Sequence, residues 1–288
     1  MSMSNTAVSH PYGKNKVCYW GVSNTQLSTA RTWVNFAALF LFAVCCAHQF
    51  QMVSPCIADI AAALNMDAGQ MGFIMTLFTV SGLILAYPCT WLMRTFGIKL
   101  SLTVTVVVCL IGNVICLTVD NAVVFLIGRV LQGAGFGLIA VLGPNLIPRL
   151  FKPDQIGVVM GIWSQWSPPG VVLASISTPI LFATFGWKSI FLFSTILCIV
   201  CGAFLIASLK LPAVPENMLI EKSATAAKSI SVDKSFIRSA VIVGLVFGLY
   251  CAVYASFTMY YPTYAQQVVG MPMDAAAVTN IVASLITI

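Results

Sequence analysis

The residue whose chemistry most needs an explanation is Arg129, because it lies inside a long apolar run. The segment reads Leu126-Ile127-Gly128-Arg129-Val130-Leu131-Gln132-Gly133-Ala134-Gly135-Phe136-Gly137. A guanidinium in hydrocarbon costs at least about 2.5–3.5 kcal/mol, so it persists there only when it is paired, hydrated or used. Gln132 follows one helical turn later on the same face. Arg129 therefore reads in one of two ways: a charge that meets a ligand or a coupling ion, or a structural cation held by the carbonyls of broken neighbouring helices. His48 is a second ionisable side chain deep in an apolar run. It precedes Pro55 by seven residues, as Arg129 follows Ala122 by seven, which sets both about 10 Å from the same membrane surface on different helices. His48 reads as a ligand or coupling group, or as a neutral imidazole satisfied by the backbone. In the stretch from Gly161 to Gly170, Gln165 and Ser167 are the polar groups able to face a substrate, while Trp163 and Trp166 suit packing or a cavity wall equally. No Asp or Glu lies deep in these runs. The fixed charge is positive, which favours an anionic or polar neutral ligand over a cationic one. Covalent catalysis fits poorly: the chain has two histidines, His10 and His48, and no HExxH pattern. We expect no enzyme, no metal and no cofactor.

Such residues need helices that cross a bilayer to hold them. The chain is 59% hydrophobic and 8% charged, where a soluble domain carries about 25% charged residues. Runs of about 20 apolar residues are long enough to span. Seven occur, at 32–54, 70–92, 100–119, 122–146, 156–180, 187–208 and 239–261, and an eighth begins near Ala276 and runs to Ile288. Of the 14 Lys and Arg, twelve fall in the N-terminal tail, the 93–99 and 147–155 loops and the 209–238 segment. That bias predicts a cytoplasmic N-terminus and accounts for the net charge of +6 without nucleic acid. The ten cysteines lie mostly in apolar runs and read as small packing residues. Cys18, in the polar tail, suits a reducing compartment. Pro144-Asn145 and Pro148 read as a helix break near the cytoplasm. Tandem Pro168-Pro169 predicts a kink in the fifth span.

The chain also repeats itself at an offset of 207 residues. Arg31 matches Arg238, Phe40 Phe247, Phe50 Phe257, Met52 Met259 and Pro55 Pro262, and Met66-Asp67-Ala68 recurs as Met273-Asp274-Ala275. The seventh span restates the first. The repeating unit is six helices, a transporter signature. The expected organisation is a cytoplasmic tail over 1–31, a six-helix bundle over 32–208, a cytoplasmic linker over 209–238 and the start of a second bundle over 239–288. On that symmetry the sequence reads as the N-terminal part of a longer protein. A seven-helix receptor would need its N-terminus outside and has no place for the repeat.

On its Arg, the Gln three positions on and the Gly-rich run after them, the fourth span resembles that of the major facilitator superfamily of secondary transporters. Met93-Arg94-Thr95-Phe96-Gly97-Ile98-Lys99 resembles the family's loop between helices two and three. Gly97 and Lys99 match, but Arg94 stands where that loop carries an acidic residue, which places its usual salt bridge in doubt. Gly186-Trp187-Lys188 resembles the family's Gly-Trp-Arg before helix six. Gly161 and Gly170 have the spacing of the family's antiporter motif, which then fails at Val171-Val172. The resemblance implies an all-α integral membrane fold of two six-helix halves, here about seven and a half transmembrane helices, and a cavity lined by helices one and four. It implies a small-molecule solute, a coupling ion and the lipid bilayer as partners, and the cell membrane as location. The style is similar to the cyanate and nitrate branches, although span two has no Arg of the kind the nitrate branch carries there. The expected solute is a small organic or inorganic anion; the alternative is drug efflux by proton antiport. Substrate-contacting or coupling candidates are Arg129, His48, Gln132, Gln165 and Ser167. Gly133, Gly137, Pro168 and Pro169 are packing candidates, with Gly133 and Gly137 allowing close helix approach.

Overall fold

The computed structural model describes residues 29–152, 154–209 and 234–287. The tail to residue 28, with Cys18, and the linker residues 210–233 lie outside them. Seven apolar helical stretches in the described residues are long enough to cross a membrane. The first comprises α1 (Thr29–Gln51), a 3₁₀ turn at Ser54–Cys56 and α2 (Ile57–Ala63). Pro55 lies in that turn, where a missing N–H breaks the α-helical ladder. Next is α3 (Ala68–Phe96), opened by a capping box in which Asp67 and Gln70 each take the other's backbone N–H. Gly97, at φ 84°, makes the turn into α4 (Ile98–Thr118). The side chain of Asn121 caps α5 (Ala122–Leu150). The fifth stretch is α6 (Ile156–Ser164) and α7 (Ser167–Phe185), the sixth α8 (Lys188–Ser208), the seventh α9 (Lys234–Gln267), and the shorter α10 (Met273–Thr287) follows.

One expectation needs correction. The helix does not break at Pro144 or Pro148, because α5 runs through both to Leu150. Prolines inside spanning helices are tolerated when neighbours re-satisfy the backbone. Helix α9 includes Lys234 to Arg238 ahead of the expected seventh span, and α10 starts at Met273. The fifth span does break beside the tandem prolines: α6 ends at Ser164, and Pro168 and Pro169 fall in the first turn of α7, where the absent N–H groups would have had no helical partner.

Helix α5 packs lengthwise against both α3 and α4, α1 packs against α5, α7 and α8, and α4 packs against α8. Helix α10 lies on α7, and α9 meets the 3₁₀ turn of the first span. Two separate apolar clusters result. One holds Phe36, Phe42, Cys109, Leu142, Phe151 and Leu205; the other holds Met52, Ile60, Ile74, Cys116, Phe125 and Phe191. Along α1, α4, α5 and α8 the residues between the clusters include buried polar groups: His48 and Gln49, Asn113, Arg129 and Gln132, and Ser194 and Thr195. Around them the outward faces are apolar, as with Leu83, Ile84, Tyr87 and Trp91 on α3, which suits a lipid surroundings.

Candidate functional site: a polar layer between two apolar clusters

The layer is built around Arg129, which is 0% exposed. It can be buried because the helices around it supply acceptors. Its Nε donates to the carbonyl of Ile74 on α3 at 3.3 Å, and Nη1 donates to the carbonyl of Gln49 on α1 at 3.0 Å and to Oε1 of Gln132 at 2.5 Å. Nη2 approaches the sulfur of Met75 at 3.8 Å, and the guanidinium carbon lies 4.6 Å from the centre of the Phe78 ring. Gln49 belongs to the last turn of α1, where the carbonyls run out of helical donors. A cation there also meets the partial negative charge of the helix C-terminus. The end of α1 at Gln51 thus presents the acceptor that Arg129 uses. No carboxylate lies within ion-pair distance of Arg129 among the described residues; Lys188 pairs with Asp120 at 2.6 Å between other helices.

The network continues past the guanidinium. Gln132 donates from Nε2 to Oδ1 of Asn113 on α4 at 2.9 Å, and Asn113 donates to the carbonyl of Cys109 at 3.0 Å. Four helices, α1, α3, α4 and α5, are therefore tied through one cation and two amides. This close approach depends on small residues. A Cβ built on Gly133 would collide with the carbonyl of Phe78 and the hydroxyl of Ser81, and one on Gly137 would collide with the backbone of Gly82.

His48 lies at the depth of Arg129, since its neighbour Gln49 supplies the Arg129 acceptor, but its side chain is directed elsewhere. Its Nε2 is 3.2 Å from Oγ of Ser177 on α7 and its ring packs edge-on to Phe193 on α8. Its Nδ1 is buried without a hydrogen-bond partner, as are Oε1 of Gln49 and the hydroxyls of Ser175 and Ser194. So Arg129 and Gln132 are brought together, and His48 forms a second polar site on the other side of α1. Gln165 and Ser167 flank the break between α6 and α7, both half-buried, with the Trp166 ring between them tilted against that of Phe136, centroids 5.1 Å apart. Gly97 and Lys99 are exposed at the α3–α4 turn.

Sequence reasoning missed Asn113, Gln49 and Ser177. Asn113 carried a usable signal, an amide in the middle of a 21-residue apolar helix. Phe78 and Met75 carried none, since any aromatic or thioether in a span looks like packing.

The family model described as Major Facilitator Superfamily matches residues 39–288. An MFS-type efflux pump of Pseudozyma antarctica (strain T-34), MMF1, is 30% identical over 133 residues, which cover 46% of this chain and 24% of that protein. A nitrite extrusion protein of Bacillus subtilis (strain 168) is 22% identical over 138 residues, covering 48% of this chain and 34% of that protein. The matched stretch thus spans about a quarter to a third of these relatives' length. Among solved structures, a D-xylose–proton symporter superposes with a TM-score of 0.68 at 16% identity, covering 88% of this chain and 66% of the other.

Proposed function

The chain belongs to the Major Facilitator Superfamily, and on that premise we propose that the protein is a secondary transporter that carries a small organic or inorganic anion across the cell membrane by alternating access. The family supports a multi-pass transporter rather than an enzyme. The observation that carries the anion is Arg129, a permanent cation that is fully buried and offset by carbonyl, amide, thioether and ring contacts, with no carboxylate within ion-pair distance of it among the described residues. Half-charges at a helix end compensate a full charge incompletely. An anion entering the layer would complete the compensation, taking donors that Gln49 and Ile74 now occupy. Arg suits this role because its planar fork can hold two oxygens at once. Gln132 then orients the guanidinium, Gln165 and Ser167 contact the solute at the break in span five, and His48 serves the coupling ion. The residues Arg94, Gly97 and Lys99 belong to the cytoplasmic loop between the second and third spans. The remaining division of the chain is a cytoplasmic tail over 1–31, a first bundle over 32–208, a cytoplasmic linker over 209–238 and a second bundle from 239.

A second reading is drug efflux by proton antiport, favoured by the similarity to the MMF1 efflux pump and by the Gly161–Gly170 spacing. Proteoliposomes holding the full-length protein separate the two. Under the anion reading, uptake of small labelled monovalent anions and carboxylates exceeds that of empty vesicles, and cationic dyes are not pumped. Dye extrusion with no anion flux would overturn it.

A further inference from the structure

The repeat places Gln51 of the first span opposite Thr258 of the seventh, and in the folded chain these two mates touch: Nε2 of Gln51 donates to the carbonyl of Thr258 at 2.7 Å. Thr258 stands four residues before Pro262, which lies inside α9. An α-helical carbonyl is bonded by the N–H four residues later, and Pro262 has none. The acceptor that Gln51 uses is therefore one whose helical donor the proline has removed. The threonine hydroxyl does not fill that role, because it turns back to the carbonyl of Tyr254 at 2.9 Å. Ser54 adds a second donor to the Thr258 carbonyl at 3.3 Å and also bonds the carbonyl of Met259. In the reverse direction Thr263 donates to the carbonyl of Ser54 at 3.4 Å and Gln266 to that of Pro55 at 3.0 Å. Gln51, Ser54 and Thr258 are all buried.

We propose that Gln51 and Ser54 form a reversible latch between the two repeats, in which a side chain of the first span replaces the backbone donor that Pro262 deletes from the seventh. The proposal rests on the alternating-access reading but is independent of the solute. Each of these five bonds runs from a neutral side chain to a carbonyl. When the junction parts, water can take the place of every donor, so opening leaves nothing orphaned, whereas closing without Gln51 would bury the Thr258 carbonyl with a weakened partner set. The latch therefore favours the closed junction only modestly, as an element that must cycle requires. Pro262 frees the Thr258 acceptor in the seventh span, and the 3₁₀ turn at Ser54–Cys56 presents the carbonyls of Ser54 and Pro55 to Thr263 and Gln266.

The test is a double-mutant cycle on the full-length protein in lipid nanodiscs, read by hydrogen exchange of the amides at 52–57 and 264–271 without substrate. Gln51→Leu should raise exchange there roughly fivefold, the loss of one neutral hydrogen bond. Pro262→Ala restores an N–H to the helix for Thr258, so in that background Gln51→Leu should change exchange less than twofold. If Gln51→Leu leaves exchange unchanged in the native background, or raises it equally in both, the latch is wrong. Ser54→Ala, carried through the same cycle, decides the matter if Gln51→Leu does not fold. Failure of anion transport would leave this readout untouched.

Discussion

At the scale of the residue, Arg129 is both a candidate ligand group and a structural pin, and the two roles make different predictions. In the observed geometry Arg129→Gln removes the donors to Gln49 and Ile74. Each buried carbonyl left without a donor costs roughly 1–3 kcal/mol, so we expect a lower melting temperature in detergent. Arg129→Lys keeps the charge and one donor direction but loses the fork. Transport should fall with Lys and vanish with Gln; the measurement pairs initial uptake with membrane abundance and melting temperature. If Gln at 129 transports at the original rate, the binding role fails; if the variant never accumulates, the pin alone accounts for Arg129. His48→Ala should reduce transport less, since it removes contacts with Ser177 and Phe193 and leaves the guanidinium untouched. Arg129 and Gln132 were visible in the sequence because a charge and an amide in a span have few innocent explanations. The partners were not visible, because which carbonyls face the guanidinium depends on where α1 breaks, and a proline near a helix end does not reveal which neighbour will use the exposed acceptor.

At the scale of the element, the decisive contact is α3 against α5. Backbones approach so closely that Gly82, Gly133 and Gly137 meet without side chains between them. Gly137→Ala should force α3 off α5, with an overpacking cost of about 1–3 kcal/mol. It should appear as reduced yield of monodisperse protein and a lower melting temperature. Gly161→Ala is the matched control, because a Cβ there meets nothing within 4 Å. It should be neutral or slightly stabilising, since Ala is the better helix former. Equal losses in both variants would mean that the glycines act through backbone freedom rather than through close approach. Helix existence was legible from run length, and the break in span five from the tandem prolines. The ends were not: α5 continues through Pro144 and Pro148 because it is buried along both α3 and α4, and packing outweighs the local preference to stop.

At the scale of the whole molecule, the 207-residue repeat and the charge distribution are two independent constraints, and together they orient the chain. The repeat makes the first and seventh spans equivalent, so both must enter the membrane from the same side. In the structure their matching ends meet, at the 3₁₀ turn of the first span and the Pro262 region of α9. The opposite ends carry Arg31 and Arg238, mates in the repeat, and on the expected alternation of spans the segments on that side hold twelve of the 14 basic residues. Basic residues are retained on the cytoplasmic face, so the junction that holds Gln51 should lie outside and the 209–238 connection inside. What the repeat did not reveal is that Gln51 would touch its own mate, since equivalence says nothing of where the symmetry axis runs; that depends on helix tilt, which packing sets. The orientation is checked by fusing, in turn, a reporter active only outside the membrane at residue 225 and at Asp120, in the loop between α4 and α5. We expect activity at 120 and none at 225. The reverse pattern would invert the topology and place the Gln51–Thr258 junction on the cytoplasmic side. Activity at both sites would mean that the chain inserts in two orientations, and the charge bias would then be too weak to serve as the argument for either.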